Sequence, residues 1–340
     1  MVFVFLTNPL PLKNILISVS LFVYIGFPGN NSRSFSFRNS SAQNIFIITT
    51  DGFRWQEVFK GADTAILYDE KYAGVNGQLK KIYCRATFTE QRKCLMPFLW
   101  TTIAENGQLY GNRQEGNYMN TANLYGISYP GYNELLTGTT DPFIYSNDKK
   151  QNPNINVLEW LADKDAFRDR VAAFTSWNLF PYILNSQRNN LYINTDENKK
   201  VRPDSLTFSE AKSYLEANHP KLLYLSLGET DEFAHSNRYD LYLQQAHRVD
   251  SMIAELWQWT QQTAGYKDNT LFIITTDHGR GALPQNWKTH GPFTKGSSQT
   301  WMACIGPGIL PFGEIKTEGQ LYNRQMAAAI AEAAGYEFKK

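Results

Sequence analysis

Five short runs of β-type apolar residues, each almost unbroken, constrain this chain more than any other feature: residues 44–50, 171–175, 222–227, 271–276 and 300–305. A strand with one wet face alternates apolar and polar residues. An unbroken run belongs to a strand covered on both faces. Helical patterns lie between the runs, at residues 95–105, 156–162, 209–217, 239–261 and 322–334, the last stopped by Gly335. In 239–261, Leu243, Val249, Ile253 and Trp257 recur at helical spacing and are expected to face inward. Strand and helix in alternation predict an α/β fold, with a mostly parallel central sheet and helices on both faces. The polar stretch 139–153 reads as a long loop.

The chain has 340 residues, enough for one large domain or two ordinary ones, and no composition shift marks a boundary after residue 44. Formal charge is +1 and no basic run stands out, which argues against a nucleic-acid polymer as partner. Near the start, Lys13 precedes an apolar segment, 15–27, and a polar stretch rich in Asn and Ser, 29–41. The segment is short for a membrane span and suits the apolar part of an export signal. The expectation is an extracytoplasmic protein, periplasmic or secreted, that touches a membrane only through this segment. A buried strand is the alternative. Cysteines stand at 84, 94 and 304. An odd count is no disulfide framework, although Cys84 and Cys94 are open to pairing in an oxidising compartment. Cys304 lies in an apolar run and is expected as a small buried hydrophobe. No pattern fixes the oligomeric state.

The ends of the runs carry the chemistry. The first ends in Asp51, the third leads into Asp231 and His235, and the fourth ends in Asp277-His278, with His290 following in a loop. Only five histidines occur in the chain, and three belong to this set. Asp231 and His235 are four apart, which places both on one face of a helical turn. Asp277 and His278 are adjacent, so a loop must aim both, and Gly279 and Gly281 suit such a turn. Mixed carboxylate and imidazole donors favour Zn2+, with Mn2+ the weaker candidate. A further element is the turn Gly126-Ile127-Ser128-Tyr129-Pro130-Gly131, after which a helix-like stretch begins at Glu134. A serine there offers its oxygen and nearby N–H groups to an anion, and a bound divalent cation would make the hydroxyl a nucleophile.

In this order, Thr50-Asp51-Gly52, the Ser128-Tyr129-Pro130 turn, Asp231 with His235, Asp277-His278-Gly279 and His290-Gly291 resemble the alkaline phosphatase superfamily. The likeness is strongest to its nucleotide pyrophosphatase/phosphodiesterase and phosphoglycerate-mutase-like branches. It runs from about residue 44 to the C-terminus, so the resemblance implies an alkaline-phosphatase-like catalytic domain over 44–340; residues 1–43 are the expected export signal and linker. It also implies two divalent metal ions. Asp231, His235 and His290 would hold one; Asp51, Asp277, His278 and the Ser128 oxygen would hold the other. Ser128 would attack phosphorus, giving a phosphoseryl intermediate on a small phosphate ester, either diester or monoester. An Asn downstream of the nucleophile often meets the phosphoryl oxygen in these relatives, and Asn147 is the nearest match. Sulfatases of the superfamily place Arg four residues after the nucleophilic position; Tyr132 stands there, which argues against a sulfatase. Some monoesterases place cations after the central strand; residues 174–178 hold none, and Trp177 could stack on a ring of the substrate. A phosphotransferase or mutase-type isomerase on the same metal core is one alternative. An inactive binding protein is the other.

Overall fold

Why the apolar runs are unbroken is plain in the computed structural model, which describes Phe37, residues 42–74 and residues 77–339. The apolar segment 15–27 lies outside the described residues. No helix among those described is long and apolar enough to cross a membrane. In chain order the strands are β1 (Asn44–Thr50), β2 (Gln108–Tyr110), β3 (Asn117–Asn120), β4 (Val171–Thr175), β5 (Tyr192–Asn194), β6 (Leu222–Leu227), β7 (Thr270–Thr275), β8 (Gln299–Thr300), β9 (Met302–Ile305), β10 (Gly313–Glu314) and β11 (Gly319–Tyr322). Eight form one sheet in the order β10-β2-β9-β7-β1-β6-β4-β5. Its centre, β7-β1-β6-β4-β5, is parallel, and β9 runs antiparallel to both β7 and β2. The expected fold class, a mostly parallel central sheet flanked by helices, is the one observed. A small second sheet joins β11, β3 and β8.

Successive residues of each central strand feed opposite cores. Phe46, Ile48, Leu223, Leu225, Phe272 and Ile274 pack on one face. Ile45, Ile47, Leu222, Tyr224, Leu271 and Ile273 pack on the other. The first face is covered by the helix Tyr239–Gln262, through Leu243, Val249 and Ile253, with Trp257 half-buried at its margin. The second is covered by the helices Ser128–Thr137, Val157–Ala162 and Met326–Ala333. Both faces are therefore dry, and no position in β1, β4, β6 or β7 is left for a polar alternation.

Several boundaries differ from the sequence expectation. The run 300–305 is divided at Trp301, whose indole nitrogen donates to the Phe53 carbonyl at 3.0 Å; only Met302–Ile305 joins the main sheet. The helix expected over 95–105 is two pieces. Phe88–Leu95 is set by a capping box between Thr87 and Glu90, and a wide turn over Leu99–Ile103 then leads into a short helical turn, Ala104–Asn106. Pro97 separates them, and the free N–H groups of Phe98 and Leu99 donate to the Asp250 carboxylate. At the C-terminus β11 runs as far as Tyr322, so the α-helix starts only at Met326. Cys84, Cys94 and Cys304 are all free, and Cys304 is buried as expected.

Candidate active site

β1, β6 and β7 are parallel neighbours, so their C-terminal ends open on one edge of the sheet. Asp51 follows β1 directly. After β6 the chain turns into the helix Glu229–His235, which carries Asp231 and His235 on one face. Asp277 and His278 leave β7 without regular structure, as their adjacency requires. The glycines behind them serve close approach rather than an unusual backbone angle: a Cβ on Gly279 would lie 2.3 Å from the Gln299 carbonyl, and one on Gly281 2.0 Å from that of Asn286.

Ser128 opens a helix that runs to Thr137, earlier than the expected start at Glu134. Pro130 is tolerated because it sits in the first turn, where its missing N–H has no helical acceptor. The helix lies against the end of β7 so closely that a Cβ on Gly131 would be 2.6 Å from the Asp277 carbonyl oxygen. Gly131→Ala is accordingly expected to push the Ser128 helix off the Asp277 strand end. Activity and melting temperature should both fall, by about 1–3 kcal/mol of stability for forced overpacking. Unchanged melting and turnover would show that the contact is not limiting.

The seven expected ligand and nucleophile residues converge. Ser128 Oγ lies 3.3 Å from Asp51 Oδ1 and 3.2 Å from His278 Nε2. His278 Nε2 is 3.4 Å from Asp51 Oδ1 and 3.5 Å from Asp277 Oδ2. On the other side, His235 Nε2 is 3.2 Å from Asp231 Oδ2 and 2.9 Å from His290 Nε2. Asp231, His278 and His290 make one compact donor group, and Asp51, Asp277 and His278 another. His278 thus adjoins both groups, and its ring stacks on that of His290 at 4.1 Å.

Proton positions follow from the partners. His278 Nδ1 faces the Gly279 carbonyl at 2.8 Å, and His290 Nδ1 faces that of Gly126 at 3.0 Å. A carbonyl only accepts, so both Nδ1 atoms carry hydrogen, and both Nε2 atoms face the site. Burial and then the charge of Asp231 push the Asp51 carboxyl well above its ordinary range. Burial and then Asp51 do the same to Asp277. Burial, then His278, pushes His290 down to about 2. Burial also opposes charge on Asp231, but Arg280, at 2.6 Å, and the two neighbouring histidines hold that carboxyl well below its usual range. Asp277 Oδ2 is buried without a hydrogen-bond partner. Imidazole nitrogens turned to the site, crowded carboxylates and an orphaned buried oxygen are the donor set that a divalent cation satisfies.

A cleft of about 280 Å³ opens beside Ser128. Asn147 and Trp177 line it, as do Lys149 and Lys200. Asn147 Oδ1 accepts the Tyr129 N–H at 2.9 Å. Residues 174–178 do lack a cation, but the two lysines reach the cleft from other loops, so the absence of cations in that stretch did not describe the site. Lys200 is paired to Glu232 at 2.9 Å. Sequence reasoning also passed over Arg280 and the contact made by Tyr132, whose hydroxyl donates to Asp51 Oδ2 at 3.2 Å. Arg280 stood in plain view two residues after His278, the one signal that could have found it.

The fold is that of the alkaline phosphatase superfamily. A structure from Vibrio parahaemolyticus described as a protein of that superfamily superposes with a TM-score of 0.54 at 12% identity, covering 90% of this chain and 69% of that one. The lipoteichoic acid synthase LtaP from Listeria monocytogenes gives 0.54 at 12% identity, over 92% and 77%. Murine ectonucleotide pyrophosphatase / phosphodiesterase 5 gives 0.55 at 12% identity, over 88% and 96%. Likeness at this identity concerns the fold. The sequence model of the type I phosphodiesterase / nucleotide pyrophosphatase family matches residues 85–331, and the chain belongs to that family. Asp51 lies before the matched stretch. Among curated protein sequences no match is found. Family and fold together point to hydrolysis of phosphate esters.

Proposed function

We propose that the chain is a metal-dependent hydrolase of small phosphate esters, diester or monoester, in which Ser128 is the nucleophile. The observation that carries this reading is the position of Ser128 Oγ. It stands at the first turn of a helix and within 3.3 Å of both Asp51 Oδ1 and His278 Nε2. Both atoms belong to one proposed cation donor group, so an ion held there would sit beside the hydroxyl and lower its pKa. Attack on phosphorus would form the Ser128 Oγ–P bond and break the bond to the leaving alcohol, and water would then cleave the phosphoseryl ester. Asp231, His235 and His290 would hold one divalent cation, and Asp51, Asp277 and His278 a second, with Zn2+ favoured over Mn2+. Such cations, when bound, lower the pKa of a hydroxyl and offset charge on phosphoryl oxygens.

Tyr132 weighs against a sulfate ester. It occupies the position of the sulfatase arginine, and its hydroxyl is spent on Asp51 and Ser226. Chelation followed by zinc return is the test. Dialysis against a strong chelator should abolish turnover of a bis-aryl phosphate or an aryl monophosphate, and Zn2+ should restore it. Elemental analysis should count about two ions per chain, one for each donor group. Full activity in the chelated protein, or preference for an aryl sulfate, would defeat the proposal.

A further inference from the structure

The helix that begins with Ser128 carries a second polar residue that the reaction does not use. Glu134 lies one and a half turns on and is wholly buried. Every partner its carboxylate has is an N–H donor. Both oxygens accept from the Ala122 backbone, at 2.7 and 2.9 Å. Oε2 also accepts from the backbone and the side-chain amide of Asn123, each at 2.8 Å. Oε1 accepts from the Arg324 backbone at 3.0 Å. Two separate segments, 122–123 and Arg324, therefore meet on one carboxylate of a third.

Each segment leads back to the site. Asn123 Oδ1 accepts from the backbone of Tyr125 at 3.0 Å and of Gly126 at 3.2 Å. The Gly126 carbonyl in turn accepts from His290 Nδ1. Gly126 has φ +56°, a left-handed conformation, and a Cβ there would lie 2.7 Å from that of Ser297, so the loop has one narrow path. Beside Arg324, Asn323 Nδ2 donates to the carbonyls of Thr276 at 3.0 Å and Asp277 at 3.3 Å. A buried carboxylate bound only by fixed N–H groups is a rigid node, because releasing any of them leaves an unpaired group in a dry place.

We propose that Glu134 is a positioning residue that sets the ring plane and tautomer of His290, through Asn123 and Gly126, relative to the Ser128 helix on which Glu134 itself stands. It touches neither substrate nor cation. It fixes the acceptor that makes His290 Nδ1 a donor, and so keeps Nε2 as a lone pair aimed at Asp231 and His235. The zinc and activity arms of the test rest on the proposed metal-dependent hydrolase reading; the exchange arm does not.

Three measurements on Glu134→Gln decide it. Amide hydrogen exchange should quicken at residues 121–126 and around His290, while the central strands keep their protection. Zn2+ affinity, measured against a chromophoric chelator, should weaken by about tenfold to a hundredfold, as for other residues that orient a ligand. With a phosphate ester, kcat should fall while KM stays, since no substrate contact is removed. Glu134→Ala should exceed Glu134→Gln in all three, because the glutamine keeps one accepting oxygen. Should Glu134→Gln not fold, Asn123→Ala breaks the same path one step later and leaves the Glu134 backbone bonds in place. Exchange and zinc affinity that match the wild type overturn the proposal. A wild type inert toward phosphate esters would defeat the hydrolase reading instead, and the exchange result would still decide the role of Glu134.

Discussion

Ser128→Ala is expected to reduce turnover of a phosphate ester by about four powers of ten or more, the loss seen when a hydrolase nucleophile is deleted outright. The fold should survive. Among the described residues the Ser128 hydroxyl hydrogen-bonds to Asp51 and His278, both held independently, Asp51 by Tyr132 and His278 by the Gly279 carbonyl. Backbone features that start the helix, Pro130 and the Ile127 carbonyl that accepts from Gly131, are untouched by the change. Zn2+ content should therefore stay near the wild-type value, because carboxylates and imidazoles supply the remaining donors. His290→Ala makes the contrast. It removes a ligand rather than a nucleophile, so its loss should be partly reversed by excess Zn2+. Rate assays on both variants across a zinc series, with melting curves alongside, separate the two roles. Near-native hydrolysis by Ser128→Ala would remove Ser128 from the chemistry. Zinc rescue of that variant would recast it as a ligand only.

What the sequence made legible follows from how each residue is placed. Asp51, Asp231 and Asp277 stand at or just past the ends of buried strands, and buried strands announce themselves as unbroken apolar runs. Parallel pairing then brings their ends together without any further information. The spacing of Asp231 and His235 carries its own geometry, because a helix puts residues four apart on one face. The contacts that Arg280 and Tyr132 make were illegible for the opposite reason. Their partners are far along the chain, 49 residues for Arg280 to Asp231 and 81 for Tyr132 to Asp51, and no local period encodes such a pairing. Lys149 and Lys200 come from irregular segments, where composition is silent about direction. The strands β2, β5 and β10 span two or three residues each, too few for any period to register. Trp301 shows the limit inside a legible run. It is apolar and buried, yet its indole N–H is drawn to the Phe53 carbonyl, and the strand breaks there.

The largest change in stability is expected from Glu57→Ala. Arg54 and Glu57 are both fully buried, one turn apart, and joined in fork geometry: Arg54 Nε donates to Glu57 Oε2 at 2.8 Å and Nη2 donates to Oε1. Burial works against the Arg54 charge, but Glu57 overrides it and raises the guanidinium above its ordinary range. Removing the carboxylate strands a guanidinium in a dry core, which costs about 3–5 kcal/mol for a broken buried pair. It also takes away the acceptor of the Tyr239 hydroxyl, which donates to Glu57 Oε1 at 2.8 Å while accepting from the Asp63 N–H at 2.7 Å. Asp63 Oδ2, at 3.5 Å from Nη2, is too distant and too exposed to take over. The penalty should reach the site as well. Arg54 Nη1 donates to the Gly281 carbonyl at 3.0 Å, tying the segment after Asp51 to the one after His278. Turnover should thus fall well below the melting temperature of the variant, as the two strand ends lose their fixed spacing. Urea unfolding read by tryptophan fluorescence, with a rate assay at low denaturant, measures both effects. The double variant Arg54→Met with Glu57→Leu supplies the control, since replacing a buried pair by apolar residues is often neutral or better. It should recover much of the stability, yet not the link to Gly281, and so not all of the activity. Equal recovery of both would mean that the pair serves only the core.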